Sequence, residues 1–240
     1  AIKGVYGSDD IDAEEYLRRF IDIEYSIPEP ETGAFYKYLY DYFQFDEFFQ
    51  SPERSRYHEL QSDKSNFLET CKLIFTNARI PLRQQEKIFA HSRLALRSFD
   101  WNTYVVPHVF LFLTFIKVTD NEFYEKMKAK SLTIEELQER FIGLVKIRIN
   151  EDTERQLMWL EVYLVNAYNN YNQERYRRKP LYSIDKETGE NKLLIQTIVK
   201  KGAEKEFLKI LEIMDRGRRE GDLDLSHFTN HIDLLEGIKT

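Results

Sequence analysis

Apolar positions recur at helical spacing through most of the chain. From Pro81 the residues Ile88, Phe89, Ser92, Ala95, Leu96 and Phe99 fall on one arc when each residue advances about 100°. Pro81 suits a first helical turn, so the pattern predicts a helix from there to Ser98 or Phe99. Opposite that arc lie Arg83, Lys87, Arg93 and Arg97, giving one face to bury and one cationic face. Around this helix the same period predicts others. Asp12 with Glu15 forms a capping box for a helix to Phe20. Ser62 or Asp63 opens a helix with a Phe67, Leu68, Cys71, Ile74, Phe75 and Ala78 stripe. Val105 to Val118, the most apolar run, carries Pro107, His108 and Lys117 and reads as a buried helix, followed by a short helix capped by Thr119. Thr133 with Glu136 makes a second capping box, ahead of Ile134, Leu137, Phe141, Leu144 and Arg148. Asp152 or Thr153 begins a long helix to about Tyr171, Ala203 to Arg216 an amphipathic one, and Ser226 caps the last, which turns Phe228, Ile232 and Leu235 inward.

The period changes to two at a single clear place. Ile21, Ile23, Tyr25 and Ile27 alternate with Asp22, Glu24 and Ser26, a strand that Pro28 and Pro30 end. A strand by itself is not stable, so its sheet is expected upstream of Ala1. Leu181 to Ile195 reads as a small hairpin with DKETGEN at its tip. The expected architecture is therefore mainly α: a multi-helical bundle with one or few short strands. Between Ala34 and Phe49 nine aromatic residues crowd together, from Phe35 to Phe49, as core or as a partner-binding belt. Ser51 to Arg56 reads as a loop, and Arg175 to Lys179 as a basic loop able to hold phosphate or an acidic partner.

Composition narrows the classes. With 42% hydrophobic and 32% charged residues the chain of 240 is globular, and a net charge of −6 argues against general nucleic-acid affinity. Cys71 is the only cysteine, which excludes an intrachain disulfide and a cysteine-rich zinc site and fits a cytoplasmic setting. The Val105 to Val118 run is too short to span a bilayer, which takes about twenty residues. The start at AIKGVYG, without an initiator methionine, reads as a point inside a longer protein. No glycine-rich phosphate loop with a Lys-Ser/Thr ending occurs, nor an aliphatic strand ending in a magnesium-binding Asp. His227 and His231 have the spacing of helical zinc ligands but lack a third, and no glycines of a nucleophile elbow surround any serine. No metal site is expected.

Two blocks resemble a known family. Ala1 to Pro30, with AIKGVYG and YLRRFIDIEYSIPEP, is similar to the segment after the sensor strand in the KAP family of P-loop NTPases. PLRQQEKIF, Pro81 to Phe89, with the following AHSRLALRSF, resembles that family's lid helix. Together they cover about a fifth of the chain, in the family's order and separation. The resemblance implies three parts: residues 1–30 as the end of a P-loop core, 31–130 as a helical lid and 131–240 as a helical extension. It implies ATP and Mg2+ in the full-length protein, bound by an upstream core, with none bound by this portion alone. Arg18 or Arg19 takes the place of an arginine finger. Arg83, with Lys87 one turn on, takes the place of the lid arginine that senses nucleotide phosphates. A homo-oligomer is a further implication. The competing reading is an all-helical interaction module without a nucleotide role, binding a protein partner or nucleic acid through Phe35–Phe49 or Arg175–Lys179.

Overall fold

The computed structural model describes residues 32–145, 151–172, 180–186, 189–200, 202–215 and 219–233. The strand expected at Ile21–Ile27, Arg18, Arg19 and the Arg175–Lys179 loop lie outside the described residues. Among those described are ten α-helices and one two-stranded sheet, so the chain is mainly helical. In chain order the helices are α1 (Thr32–Tyr42), α2 (Asp46–Phe49), α3 (Asp63–Asn77), α4 (Leu82–Leu96), α5 (Pro107–Thr119), α6 (Asn121–Lys128), α7 (Ile134–Val145) and α8 (Glu151–Asn172). Strands β1 (Tyr182–Ile184) and β2 (Asn191–Leu193) follow, then α9 (Glu204–Asp215) and α10 (Leu225–Ile232). No helix among them is long and apolar enough to cross a membrane.

Helix α5 is the centre. Its residues from Val109 to Ile116 are all buried, because PHVFLFLTFI offers no polar face to water. Helices α3, α4, α6, α8 and α10 surround it. Pro107 starts it without losing a needed N–H, and Val106 before it stands at φ 44°. A β-branched residue there is strained by about 1–3 kcal/mol, and burial of Val106 and its neighbours holds it. The predicted stripes of α3 and α4 both face this core: Phe67, Cys71 and Ile74, and Ile88, Phe89, Ser92 and Leu96. The core continues without a break from Tyr36 to Ile232, so segments before and after Lys130 share it.

The aromatic segment is two helices rather than one. Gln44 at φ 55° turns the chain, and Tyr40, Phe45 and Phe49 then stack with centroids 5.3 to 6.5 Å apart against Phe67 and Phe89. The hairpin is present, with Tyr182 opposite Leu193 and Ile184 opposite Asn191. Gly189 at φ 71° supplies its turn, a conformation that costs other residues. The Thr133–Glu136 capping box forms in both directions, at 3.1 and 2.8 Å. Two other caps sit elsewhere than expected. Asp120, not Thr119, accepts from the Phe123 N–H at 3.1 Å, and Asp224, not Ser226, accepts from the His227 N–H at 3.2 Å. Thr119 instead donates to the Phe115 carbonyl within α5.

Ser51 to Arg56 is not a free loop. Arg54–Arg56 form a 3-10 turn, and Arg54 is 1% exposed. Its guanidinium pairs with Asp63, donates to the carbonyls of Trp101 and Thr103 at 2.9 and 3.0 Å, and lies 4.7 Å from the Phe48 ring centroid. Asp63, at the start of α3, thus pairs with Arg54, and the N-cap residue Ser62 makes no side-chain cap bond. A second buried polar group, Glu161 on α8, is 0% exposed. It accepts from Gln138 Nε2 at 2.7 Å, Thr197 Oγ1 at 2.8 Å and the Ile198 N–H at 2.9 Å, joining α7, α8 and the loop that leads to α9.

Two outcomes test this packing. Arg54→Ala leaves Asp63 without its counter-charge and two carbonyls unpaired, so urea unfolding is expected to show a loss of about 3–5 kcal/mol. A loss under about 1 kcal/mol contradicts the clamp. Acid should also weaken the fold. Burial lowers His108, stacked on Tyr163, to about 4, and burial with the nearby His227 lowers His231. Both imidazoles are thus neutral in the fold at pH values where the unfolded chain binds protons. Their contribution is complete above about pH 6.5 and declines as pH falls towards 4. Replacing His108 by Phe should flatten the decline measured by urea titration at several pH values.

Candidate functional site

Helix α4 has two unlike faces because its sequence alternates them. The inward face carries Ile88, Phe89, Ser92, Ala95 and Leu96 against α5. Gln85 is also buried and donates to the Ile80 carbonyl at 2.8 Å, fixing the entry to the helix. The outward face carries Arg83 in the first turn and Lys87 one turn later, both exposed. Neither makes an ion pair among the described residues, and the same holds for Arg79 four positions before Arg83. The first turn of a helix has unpaired N–H groups and the positive end of the dipole, so an anion is favoured beside Arg83.

The four basic residues of this face do not act alike. Arg93 is drawn out of the expected cationic row: Nε donates to the Phe43 carbonyl at 2.9 Å and Nη2 pairs with Glu47. It latches α4 to the turn between α1 and α2. Arg83, Lys87 and Arg97 therefore remain as exposed charges that make no ion pair among the described residues, as does Arg79 in the turn after α3. Sequence spacing from Arg83 points to Arg79, but its place outside the helix hides it from a helical projection.

The histidine pair is structural. His227 Nε2 donates to the Tyr104 carbonyl at 2.8 Å, and the His231 ring stacks on Phe99 at 3.7 Å. Ser98 Oγ lies 2.7 Å from both the Ala95 carbonyl and His231 Nδ1. With its proton given to the carbonyl, Ser98 accepts from the imidazole, the reverse of what an activated nucleophile needs. Among the described residues no three His, Cys, Asp or Glu side chains group to hold a metal ion. Near Asp233, Lys117 at 3.3 Å, Lys128 at 2.7 Å and the Tyr124 hydroxyl at 2.9 Å close an ionic network that fixes the end of α10. A cleft of about 440 Å3 beside Glu154, Arg155, Met158, Lys200 and Glu206 mixes both signs around a Lys200–Glu154 pair. It presents no convergent set of donors.

Comparison of the chain with protein-family models, curated proteins and solved structures found no match.

If Arg83 and Lys87 are free of structural duty, removing them should leave stability almost untouched. Arg83→Ala and Lys87→Ala are each expected to change unfolding free energy by less than about 0.5 kcal/mol, as for ordinary surface sites. Arg93→Ala should cost about 1–2 kcal/mol, because it leaves the Phe43 carbonyl without its charged donor. Equal losses at all three positions in chemical denaturation would refute the division of roles.

Proposed function

We propose that this chain is the helical lid and C-terminal extension of a KAP-like P-loop ATPase. In that protein Arg83, supported by Lys87, senses the phosphates of bound ATP and transmits hydrolysis as a movement of helices. The supporting observation is that Arg83 stands exposed in the first turn of α4 and makes no ion pair among the described residues. Its helix is meanwhile anchored on the opposite face by the core and at its far end by Arg93. A guanidinium so placed presents a fork of donors to phosphate oxygens, and the anchored helix carries any displacement into α5.

The resemblance supplies the other parts. ATP and Mg2+ belong to a P-loop and an acidic strand in the core preceding Ala1. Arg18 or Arg19 approaches the γ-phosphate as an arginine finger, neutralising charge on the transferring phosphoryl group. The protein works in the cytoplasm, in keeping with a free and buried Cys71. The rival reading, a helical interaction module, has the exposed aromatic residues of α1 in its favour.

ATPase assays on the full-length protein test the assignment. Arg83→Ala is expected to lower turnover about 10–100-fold, the worth of one charge-assisted hydrogen bond to phosphate, with helical content unchanged. Arg19→Ala or Arg18→Ala should lower it at least as much. Calorimetric titration of residues 1–240 alone with ATP should give no heat of binding. Wild-type turnover in all three variants removes the nucleotide role.

A further inference from the structure

Helix α1 buries Tyr36, Leu39 and Tyr40 against α3 and α4 and turns a different set outward. Tyr38 is 56% exposed and Tyr42 is 63% exposed, unusual for two aromatic residues one turn apart. They stack on one another at 5.8 Å, and Phe35 extends the row with its centroid 6.1 Å from Tyr38. Beside this ridge, on the same exposed side, stand Lys37 and Asp41. They are four residues apart and opposite in charge, yet neither makes an ion pair among the described residues. Asp46 and Glu47, just beyond this helix, pair with Lys64 and Arg93.

We propose that this face of α1 joins two copies of the chain in a two-fold, antiparallel helix pair. The reason is self-complementarity. In an antiparallel pair, residues meet when their numbers sum to a nearly constant value. An axis level with residues 39–40 sets Lys37 against the partner's Asp41 and Tyr38 against the partner's Tyr42 at once. The symmetry repeats both contacts, so four charges pair and two tyrosine couples stack from one short helix. Ala34 is the small residue on this exposed side, which lets the helices approach. Parallel pairing gives none of this, since it sets Lys37 against Lys37 and Asp41 against Asp41.

One helical face covers less than the roughly 800 Å2 per partner of a standard interface, so the dimer is weak. The inference does not depend on the nucleotide reading, since an inactive protein can still pair.

Sedimentation equilibrium of residues 1–240 from about 1 to 300 μM is the test. Wild-type protein should follow a monomer–dimer equilibrium. Tyr38→Ser with Tyr42→Ser should weaken it at least about 10-fold. Lys37→Glu should weaken it likewise, by facing two like charges. The exchanged protein, Lys37→Asp with Asp41→Lys, should recover wild-type association because the pairing is preserved in reverse. Unchanged circular dichroism keeps folding out of the comparison, as all four positions are exposed. Monomer at every concentration overturns the proposal. So does association that ignores the tyrosines, or that Lys37→Glu weakens and the exchange does not restore.

Discussion

A helix with no polar side has to be enclosed. From Val109 to Ile116 every residue of α5 is buried, and each exposed turn would cost about 1.5–3 kcal/mol per large side chain. That requirement sets the plan of the molecule. Helices α3, α4, α6, α8 and α10 each present an apolar stripe to it, and their outer faces are free to be polar. The buried polar groups sit where loops must cross the outside of this assembly. Arg54 ties the segment after α2 to the chain between α4 and α5. Glu161 ties the stretch before α9 to α7 and α8. Asn170 Nδ2 does the same for the approach to α10, donating to the carbonyls of Gly221 and Leu223.

The two faces of α4 answer to different demands. The inward stripe and the Arg93 latch determine where the helix lies, and neither involves Arg83 or Lys87. Charges that contribute nothing to folding still cost desolvation if covered without a counter-ion, so they favour an anionic partner. On the proposed reading that partner is the phosphate chain of ATP held by an upstream core. Because α4 packs directly on α5, a shift at its first turn reaches the rest of the bundle through rigid contacts rather than through a flexible linker.

Much of this was legible from spacing. The stripes of α3 and α4, the apolar α5, the long α8, the hairpin and the Thr133–Glu136 box are local patterns, written by residues one to four apart. What escaped was long-range. Nothing near Arg54 announces that its partners are Asp63, Trp101 and Thr103, since residues 47 and 49 positions away supply two of the acceptors. Glu161 reads as one more polar position on a helix until Thr197 and Ile198 arrive from 36 and 37 residues on. The caps moved by one or two residues because Asp competes well with Thr and Ser for the same N–H groups. For the site, Arg83 and Lys87 were visible as cations on a helix face. That Arg93 leaves their row depends on Phe43 and Glu47, which only the fold brings near.

Hydrogen–deuterium exchange on the full-length protein, with and without ATP, addresses the central claim most directly. On the proposed reading phosphate held by Arg83 steadies the first turn of α4 against opening, so ATP is expected to slow exchange at residues 82–87 while α5 stays protected in both states. Equal exchange at residues 82–87 with and without ATP, under conditions where ATP is bound elsewhere in the protein, contradicts it.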